Sequence, residues 1–293
     1  MKDNKKRIIT GIIMFVILVP FLFFGGIFTY VLACILSSIA CFEVTRMYIS
    51  NKNCQYLKIL LPILSLLIVA ATYFQDKLSF IIVIILLISF LSLFIIGLLN
   101  KNTSMIDVFS LFGILLYISL GFSLMAWLRT LVYFDIDSAI DNNPSGLIIF
   151  SYLLITTLGC DMGAYCFGNI FGKHKLCPTI SPNKSIEGAI GGSIFGSILG
   201  IIFLIVMEKI FNIQFLNIVD NRLLSIILLI VISIIITILS QIGDLIASKL
   251  KREYQIKDYG NIFPGHGGVM DRFDSLLFST YGLFLILFII YLL

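Results

Sequence analysis

Charged residues are scarce in this sequence. Only 12% of the 293 residues are Asp, Glu, Lys or Arg, whereas 59% are hydrophobic. A chain with so few polar side chains cannot cover the surface of a water-soluble globule of this length. The scarcity excludes a soluble globular protein and predicts a membrane protein.

Two kinds of motif are also missing. The six cysteines include no C-x-x-C pair, and we interpret them as small core residues rather than as a disulfide or metal framework. No G-x-x-x-x-G-K-[ST] run occurs, which excludes a P-loop nucleotide site. Any nucleotide chemistry must therefore rest on other residues.

Apolar segments dominate what is present. Nine of them are each close to the roughly 20 residues that cross a bilayer. Their approximate bounds are 8–24, 27–49, 57–74, 78–99, 108–130, 146–168, 188–208, 223–247 and 275–293. We therefore predict an all-α polytopic membrane protein with about nine transmembrane helices. The basic start resembles a signal peptide, but its apolar run is too long and lacks an A-x-A site, so we expect a retained first helix.

Loop charges predict the orientation of these helices. With a cytoplasmic N-terminus, the outer segments hold only Lys77, Arg129, Lys209 and Arg222 of the 20 Lys and Arg residues. This bias towards basic inner loops is what the positive-inside rule requires. We therefore expect the N-terminus in the cytoplasm and the C-terminus outside.

Charge is concentrated in two stretches of the second half, residues 161–187 and 244–274. Both adjoin predicted membrane spans, and the first half has nothing comparable. We therefore divide the chain into residues 1–145, with about five membrane helices, and residues 146–293, a catalytic region with two cytoplasmic motif loops.

The later stretch contains "NIFPGHGGVMDRFDS", residues 261–275. Asp244 lies before it near the cytoplasmic end of an apolar helix, where an ionisable group predicts function. A basic cluster follows, formed by Lys249, Lys251, Arg252 and Lys257. "FPGHGG" cannot be helical, and its glycines allow backbone amides to point at a ligand. Asp271 and Asp274, three residues apart, share one face of the next helix.

Carboxylates beside basic residues and a glycine-rich loop suit a phosphate ligand held with a hard divalent cation such as magnesium. A simpler explanation is that the basic residues anchor the helices to anionic lipid and the aspartates neutralise them. Anchoring explains any single lysine, but it requires neither a His-Gly-Gly turn nor paired carboxylates.

The earlier stretch, "CDMGAYCFGNIFGKHKLCPTISPNKSIEG", begins near Asp161. Its polar candidates are Lys173, Lys175, Ser181, Asn183 and Lys184. Ser181 or Ser185 is expected to cap the following helix. A solvated loop with a capped helix explains this stretch equally well on its own. Together with the later stretch, it suggests the second wall of a nucleotide site.

These two stretches resemble the phosphatidate cytidylyltransferases, the CDP-diacylglycerol synthases. The resemblance rests on Ser248 to Arg252 followed by Lys257-Asp258, Gly260 and the "FPGHGGVMDRFD" run. The earlier stretch is similar too, although the family has Thr at the position of Met162 and an aromatic residue at that of Ile186. The resemblance is strong over 160–275 and elsewhere covers only hydrophobic spans.

The resemblance implies that CTP and phosphatidic acid react with magnesium to give CDP-diacylglycerol and pyrophosphate. It makes Asp244 and Asp271 the leading metal ligands, with Asp274 and Asp161 as further candidates. The groups expected to bind phosphates are Lys249, Lys251, Arg252, Lys257 and Arg272 from one side, and Lys173, Lys175, Ser181, Asn183 and Lys184 from the other. Any of them could instead hold the lipid phosphate. His266 is expected to donate a hydrogen bond or organise the loop.

Three alternatives stay open at this point. A related CTP-dependent enzyme could act on another lipid phosphate or a polyprenol. A CDP-alcohol phosphotransferase is disfavoured because its D-G-x-x-A-R motif is missing. A transporter would place its charges along a path at the bilayer midplane, within similar halves. We expect a bacterial cytoplasmic (inner) membrane protein whose partners are CTP, phosphatidic acid and membrane lipid, with no nucleic acid.

Glycines recur every fourth residue from Gly188 to Gly200. Such a stripe allows two helices to approach closely in lipid. We favour packing within the chain, which leaves a homodimer seam as the alternative.

Overall fold

The structure is a computed structural model, and it describes residues 23–49, 55–74, 80–100, 103–131, 145–211 and 221–292 with a few isolated positions from 11 to 20. The described helices are α1 (Gly26–Tyr48), α2 (Leu57–Tyr73), α3 (Phe80–Leu99), α4 (Met105–Thr130), α5 (Ser145–Phe171), α6 (Ile186–Phe211), α7 (Arg222–Glu253) and α8 (Met270–Leu292). Two strands, β1 (Lys175–Cys177) and β2 (Ser181–Ser185), lie between α5 and α6. The predicted helix 8–24 falls almost entirely outside the described residues.

Seven of the described helices are long and apolar enough to cross a membrane, and α2 is a shorter apolar helix of 17 residues. They coincide with the second to ninth predicted segments. The prediction of a polytopic helical membrane protein is therefore confirmed. The five described cysteines are free. Cys41 and Cys160 are buried, as predicted for core residues, whereas Cys166 is exposed and is not a core residue.

Helix α7 is longer than the predicted segment 223–247. Its 32 residues extend to Glu253. At 1.5 Å per residue, this is about 48 Å, well beyond the roughly 30 Å of hydrocarbon. Lys249, Lys251 and Arg252 therefore lie on the last turns of a helix, and not in the loop where the sequence had suggested them.

The β-hairpin is the one departure from an all-α fold in the described part of the chain. Strands β1 and β2 pair antiparallel, with Lys175 opposite Ser185 and Cys177 opposite Ser181. The strands have three and five residues and lack an alternating apolar pattern. Such short polar strands give little sequence evidence.

The chain divides into two compact units. Unit 1 contains residues 1–130 and 254–273, and unit 2 contains residues 131–253 and 274–293. The later motif loop, 254–269, therefore groups with the N-terminal helices. The predicted division had placed it with the rest of 146–293.

Unit 1 is built on α1, which packs against α2 and α4. Ala40, Leu61 and Leu115 are fully buried in its core. Helix α1 begins after Gly25, whose φ of +65° breaks the chain direction and allows a very short turn. Helix α4 begins with a capping pair, because the Ser104 N–H donates to Asp107 Oδ2 at 2.9 Å and the Asp107 N–H donates to Ser104 Oγ at 3.2 Å.

Unit 2 is built on the pair α5 and α6. A methyl group on Gly192 would lie 2.6 Å from the carbonyl oxygen of Cys160, and one on Gly196 would lie 2.6 Å from that of Thr156. Glycine is required at both positions because the two helix backbones approach so closely. The preferred interpretation of the glycine stripe, packing within the chain, is confirmed.

A half-buried glutamine ties α7 to that pair. Gln241 Nε2 donates to Ser193 Oγ at 2.9 Å, to the Ala189 carbonyl at 3.1 Å and to Cys160 Sγ at 3.3 Å. Asp244 lies one helical turn further along α7. Its backbone position is thus fixed against α5 and α6.

Candidate active site

Three carboxylates of unit 2 come from three different helices. Asp161 lies on α5, Asp244 on α7 and Asp274 near the start of α8. Asp274 is only 7% exposed, and the negative charges of Asp244 and, more weakly, Asp161 act on it. Burying a carboxylate beside others is unfavourable unless positive charge compensates it. Three of the four predicted metal ligands therefore lie in unit 2, near enough for their charges to interact.

Two lysines supply compensating charge. Lys184 Nζ lies 2.5 Å from Asp244 Oδ2, and Lys251 Nζ lies 4.0 Å from Asp274 Oδ2. Ser248 Oγ also donates to Asp244 Oδ1 at 3.3 Å. Lys184 belongs to β2 and Asp244 to α7, so this ion pair joins the two stretches that the sequence had marked separately.

A second contact strengthens that junction. Arg252 Nε, on the last turn of α7, donates to the carbonyl of Ile180 at 3.4 Å. Ile180 lies in the turn between the two strands. The hairpin therefore rests on the cytoplasmic end that we predict for α7.

Glu187, on the first turn of α6, organises the start of this hairpin. Its carboxylate accepts hydrogen bonds from the backbone N–H groups of Lys173 at 3.1 Å and His174 at 3.2 Å. Its Oε1 also lies 2.6 Å from His174 Nδ1. Ser185 caps α6, because its Oγ accepts the Gly188 N–H at 3.1 Å. Of the two predicted caps, Ser185 is therefore the one used.

The other predicted phosphate-binding groups of unit 2 face solvent more openly. The exposed ones are Lys173, Lys175, Asn183, Lys249 and Arg252. Ser181 is half-buried at the start of β2. Lys249 Nζ lies 4.0 Å from Glu253 Oε1, an exposed pair that contributes little to stability. These side chains remain accessible to an anionic ligand in water.

In unit 1, the "FPGHGG" run forms a tight turn, as predicted. The His266 N–H donates to the Phe263 carbonyl at 2.8 Å. Pro264 holds the second position of the turn, and Gly265 holds the third with a φ of +80°. This is the residue pattern of a type II turn. His266, at its end, is half-buried, whereas Lys257 and Arg272 are exposed.

The amides that follow this turn correct one expectation. The sequence had suggested that the loop amides point at a ligand. Instead, Asp271 Oδ2 accepts the N–H groups of Tyr259 at 2.8 Å and Gly268 at 2.9 Å. The amides of Val269 and Met270 donate to Glu43. The amides of residues 268–270 therefore already have protein carboxylates as acceptors.

Sequence reasoning missed Glu43, which is 3% exposed on α1. It is the only acidic residue in that apolar helix. An ionisable group inside a membrane segment is a reason to expect a role, and the same rule had been applied only to Asp244. Glu187 was missed too, because a single acid after a polar loop carries no comparable evidence.

The donor set suits magnesium better than a tightly caged metal. Among the residues that the structure describes, no group of three or more His, Cys, Asp or Glu side chains is arranged to hold a metal ion. Magnesium does not require one, since it commonly uses one or two carboxylates together with water and substrate phosphates. The mutually close Asp244 and Asp274 fit that requirement.

Comparison with known proteins adds evidence that covers nearly the whole chain. The model of the cytidylyltransferase family matches residues 5–290. A phosphatidate cytidylyltransferase of Staphylococcus epidermidis is 33% identical over 282 residues, covering 94% of this chain and 95% of that protein. One from Bacillus subtilis is 32% identical over 284 residues, covering 95% of both chains. One from Staphylococcus aureus is 30% identical over 280 residues, covering 94% and 95%.

Proposed function

The chain belongs to the cytidylyltransferase family, and from this premise we propose that it is a phosphatidate cytidylyltransferase. It transfers CMP from CTP to phosphatidic acid and releases pyrophosphate. The observation that carries the proposal is the Lys184–Asp244 ion pair of 2.5 Å. This pair joins two stretches rich in basic and acidic groups, which is what a reaction between two phosphate anions needs.

The chemistry requires no general base. A phosphate monoester has a second pKa near 6, so the lipid phosphate is largely a dianion at neutral pH. One of its oxygens attacks the α-phosphorus of CTP and forms a new P–O bond, while the bond from the α-phosphorus to the bridging oxygen breaks. The bond electrons leave with pyrophosphate. Catalysis then consists of positioning two anions and neutralising charge on the leaving group.

Basic side chains of this protein perform that neutralisation. The exposed groups near the hairpin, Lys173, Lys175 and Arg252, are available to bind the phosphates of CTP or of the lipid. Lys184 and Lys251 have a second task, because they also balance Asp244 and Asp274. His266 serves the turn or donates a hydrogen bond, since the reaction gives it no proton to remove.

Magnesium is the cofactor that we propose. In unit 2, Asp244 and Asp274 would hold it, with Asp161 as a further candidate. In unit 1, the candidate ligand is Asp271. When bound, the ion neutralises charge that develops on the departing pyrophosphate. The Asp271 carboxylate is suited to this role because two backbone amides already fix its Oδ2.

The activity is tested by incubating the purified protein with labelled CTP, phosphatidic acid and magnesium. We expect labelled CDP-diacylglycerol together with an equal amount of pyrophosphate. Competing acceptors, another lipid phosphate and a polyprenyl phosphate, should each give much less labelled product than phosphatidic acid when offered in its place. Preferential use of a competitor would redirect the proposal to a related CTP-dependent enzyme, and no labelled lipid from any acceptor would refute it.

We also propose the finer topology, with nine membrane helices, a cytoplasmic N-terminus and an outer C-terminus in a bacterial cytoplasmic membrane. The support is the distribution of basic residues between alternate loops. The active site then faces the cytoplasm, where CTP is available. A homodimer, if formed, uses a surface other than the glycine stripe, because α5 occupies that stripe within the chain.

Cysteine accessibility labelling checks this topology. Single cysteines placed at Lys173 and Lys257 should react from the same side as the N-terminus. A cysteine at Asp137, which lies outside the described residues, should react from the opposite side. If the cysteines at positions 173 and 257 react from opposite faces of the membrane, the two motif loops do not share a cytoplasmic face.

A further inference from the structure

Glu43 contacts the loop that carries the specific motif, although it is distant in sequence. Its Oε1 accepts the Val269 N–H at 3.1 Å, and its Oε2 accepts the Met270 N–H at 3.0 Å. The two partners are separated from it by 226 and 227 residues. Each oxygen of this buried α1 carboxylate therefore accepts one backbone N–H at the start of α8.

Three consecutive amides have carboxylate acceptors at this point. The Gly268 N–H donates to Asp271, and those of Val269 and Met270 donate to Glu43. The first amides of a helix have no acceptor inside the helix, and negative charge is favourable beside them. Glu43 thus fixes the Val269 and Met270 amides, which directly follow the Gly268 amide that orients Asp271.

The fit around Glu43 leaves no space for side chains on its neighbours. A methyl group on Gly260 or on Gly268 would collide with the Glu43 carboxylate. Arg46, one turn further along α1, contributes a favourable positive charge, and Asp271 an unfavourable negative one. Gly260 and Gly268 are therefore required because the Glu43 carboxylate approaches them closely, and not because they form a turn.

We propose that Glu43 is a positioning residue for the transfer reaction. It holds the run 268–270 in place, and through the Gly268 amide it fixes the orientation of the Asp271 carboxylate. This inference rests on the proposed function, because it assigns Asp271 a role in the reaction. It adds a residue of the N-terminal helices to the motif loop of unit 1.

The competing explanation is that Glu43 only stabilises the fold of unit 1. Asp107 offers a matched control, since it is also a buried carboxylate that accepts an N–H at a helix start, at Ser104. Its side chain accepts from the Tyr48 hydroxyl at 2.9 Å and from the Ser104 N–H at the start of α4 at 2.9 Å. A purely structural effect should be similar in Glu43→Gln and Asp107→Asn.

The test uses the full-length protein in lipid nanodiscs with three measurements: thermal midpoint, amide hydrogen exchange, and kcat as a function of magnesium concentration. Glu43→Gln keeps the size of the side chain. It leaves one acceptor oxygen for two backbone donors, the Val269 and Met270 amides. Exchange at Val269 and Met270 should become about tenfold faster. The kcat should fall by about 10- to 100-fold, and the half-saturating magnesium concentration should rise by a similar factor.

In Asp107→Asn, exchange should quicken at Ser104 only, and kcat should stay within about twofold. Equal losses of kcat in the two variants, or an unchanged kcat in Glu43→Gln despite faster exchange at 269 and 270, would overturn the positioning role. If Glu43→Gln does not fold, Glu43→Asp carries the same measurements. Aspartate keeps both carboxylate oxygens but holds them one methylene further from the two amides, so we expect a smaller loss of kcat. An unchanged kcat despite faster exchange at 269 and 270 would overturn the positioning role.

The outcomes also separate this inference from the proposed function. If the unchanged protein makes no CDP-lipid, the proposed function fails, while the exchange measurement still reports on the contact of Glu43. If the unchanged protein is active but the Glu43 variants lose no more kcat than Asp107→Asn does, the positioning role alone is wrong.

Discussion

Asp244→Asn is expected to lower the turnover number by about a thousandfold. The substitution keeps the size of the side chain and one acceptor oxygen for Ser248, but it removes the negative charge. If Asp244 holds magnesium, the loss is about 4 kcal/mol of stabilisation of the leaving pyrophosphate, and each 1.36 kcal/mol is a factor of ten. The measurement is CDP-diacylglycerol formation by the purified variant at saturating CTP and phosphatidic acid.

Folding should survive this change. The side chains of Asp244 and Lys184 are 31% and 28% exposed, and breaking an ion pair that water can reach typically costs about 1 kcal/mol or less. The thermal midpoint of Asp244→Asn should therefore stay close to that of the unchanged protein. A large drop would attribute the lost turnover to misfolding.

Lys184→Gln is the matched control for Asp244→Asn. If Asp244 binds metal, Lys184→Gln should cost less turnover than Asp244→Asn, and the double variant should be about as slow as Asp244→Asn alone. Equal losses in both single variants, with no further loss in the double variant, would mean that the ion pair merely joins the hairpin to α7. The metal role of Asp244 would then be wrong.

The helices were predictable because lipid imposes a simple rule. A segment of about 20 apolar residues satisfies its backbone internally as a helix, and eight such segments coincide with described helices. The ends were less predictable. Hydropathy falls where the lipid ends, whereas the hydrogen-bond ladder of α7 continues to Glu253. The hairpin was missed because its pairing depends on contacts with Glu187 and Arg252, which no local pattern reveals.

The candidate site was predicted as a set of residues more successfully than as a set of contacts. The sequence marked Lys184 and Asp244 but could not show that they meet. It also assigned the loop amides to a ligand, because glycines indicate backbone freedom without naming the acceptor. That acceptor, Glu43, is more than 200 residues away, as the separation of 226 residues from Val269 shows. Long-range partners of backbone groups are the part of a site that a single sequence reveals least.

Asp271→Asn is expected to be the most damaging substitution in the motif loop, with turnover reduced by about a thousandfold or more. Asparagine can still accept from the Tyr259 and Gly268 amides through its side-chain oxygen, so the loop bonds of 2.8 and 2.9 Å can persist. What disappears is the charge that would bind magnesium, a contribution of several kcal/mol to the transition state. The measurement is CDP-lipid synthesis across a range of magnesium concentrations.

Asp258→Asn is the control, because Asp258 is exposed in the same loop and lies just before the Tyr259 amide. It should change turnover by less than about threefold, since an exposed charge acts weakly through water. A well-folded Asp271→Asn protein with nearly normal synthesis at limiting magnesium would contradict the metal role. The carboxylate of Asp271 would then serve only as the acceptor that closes the loop.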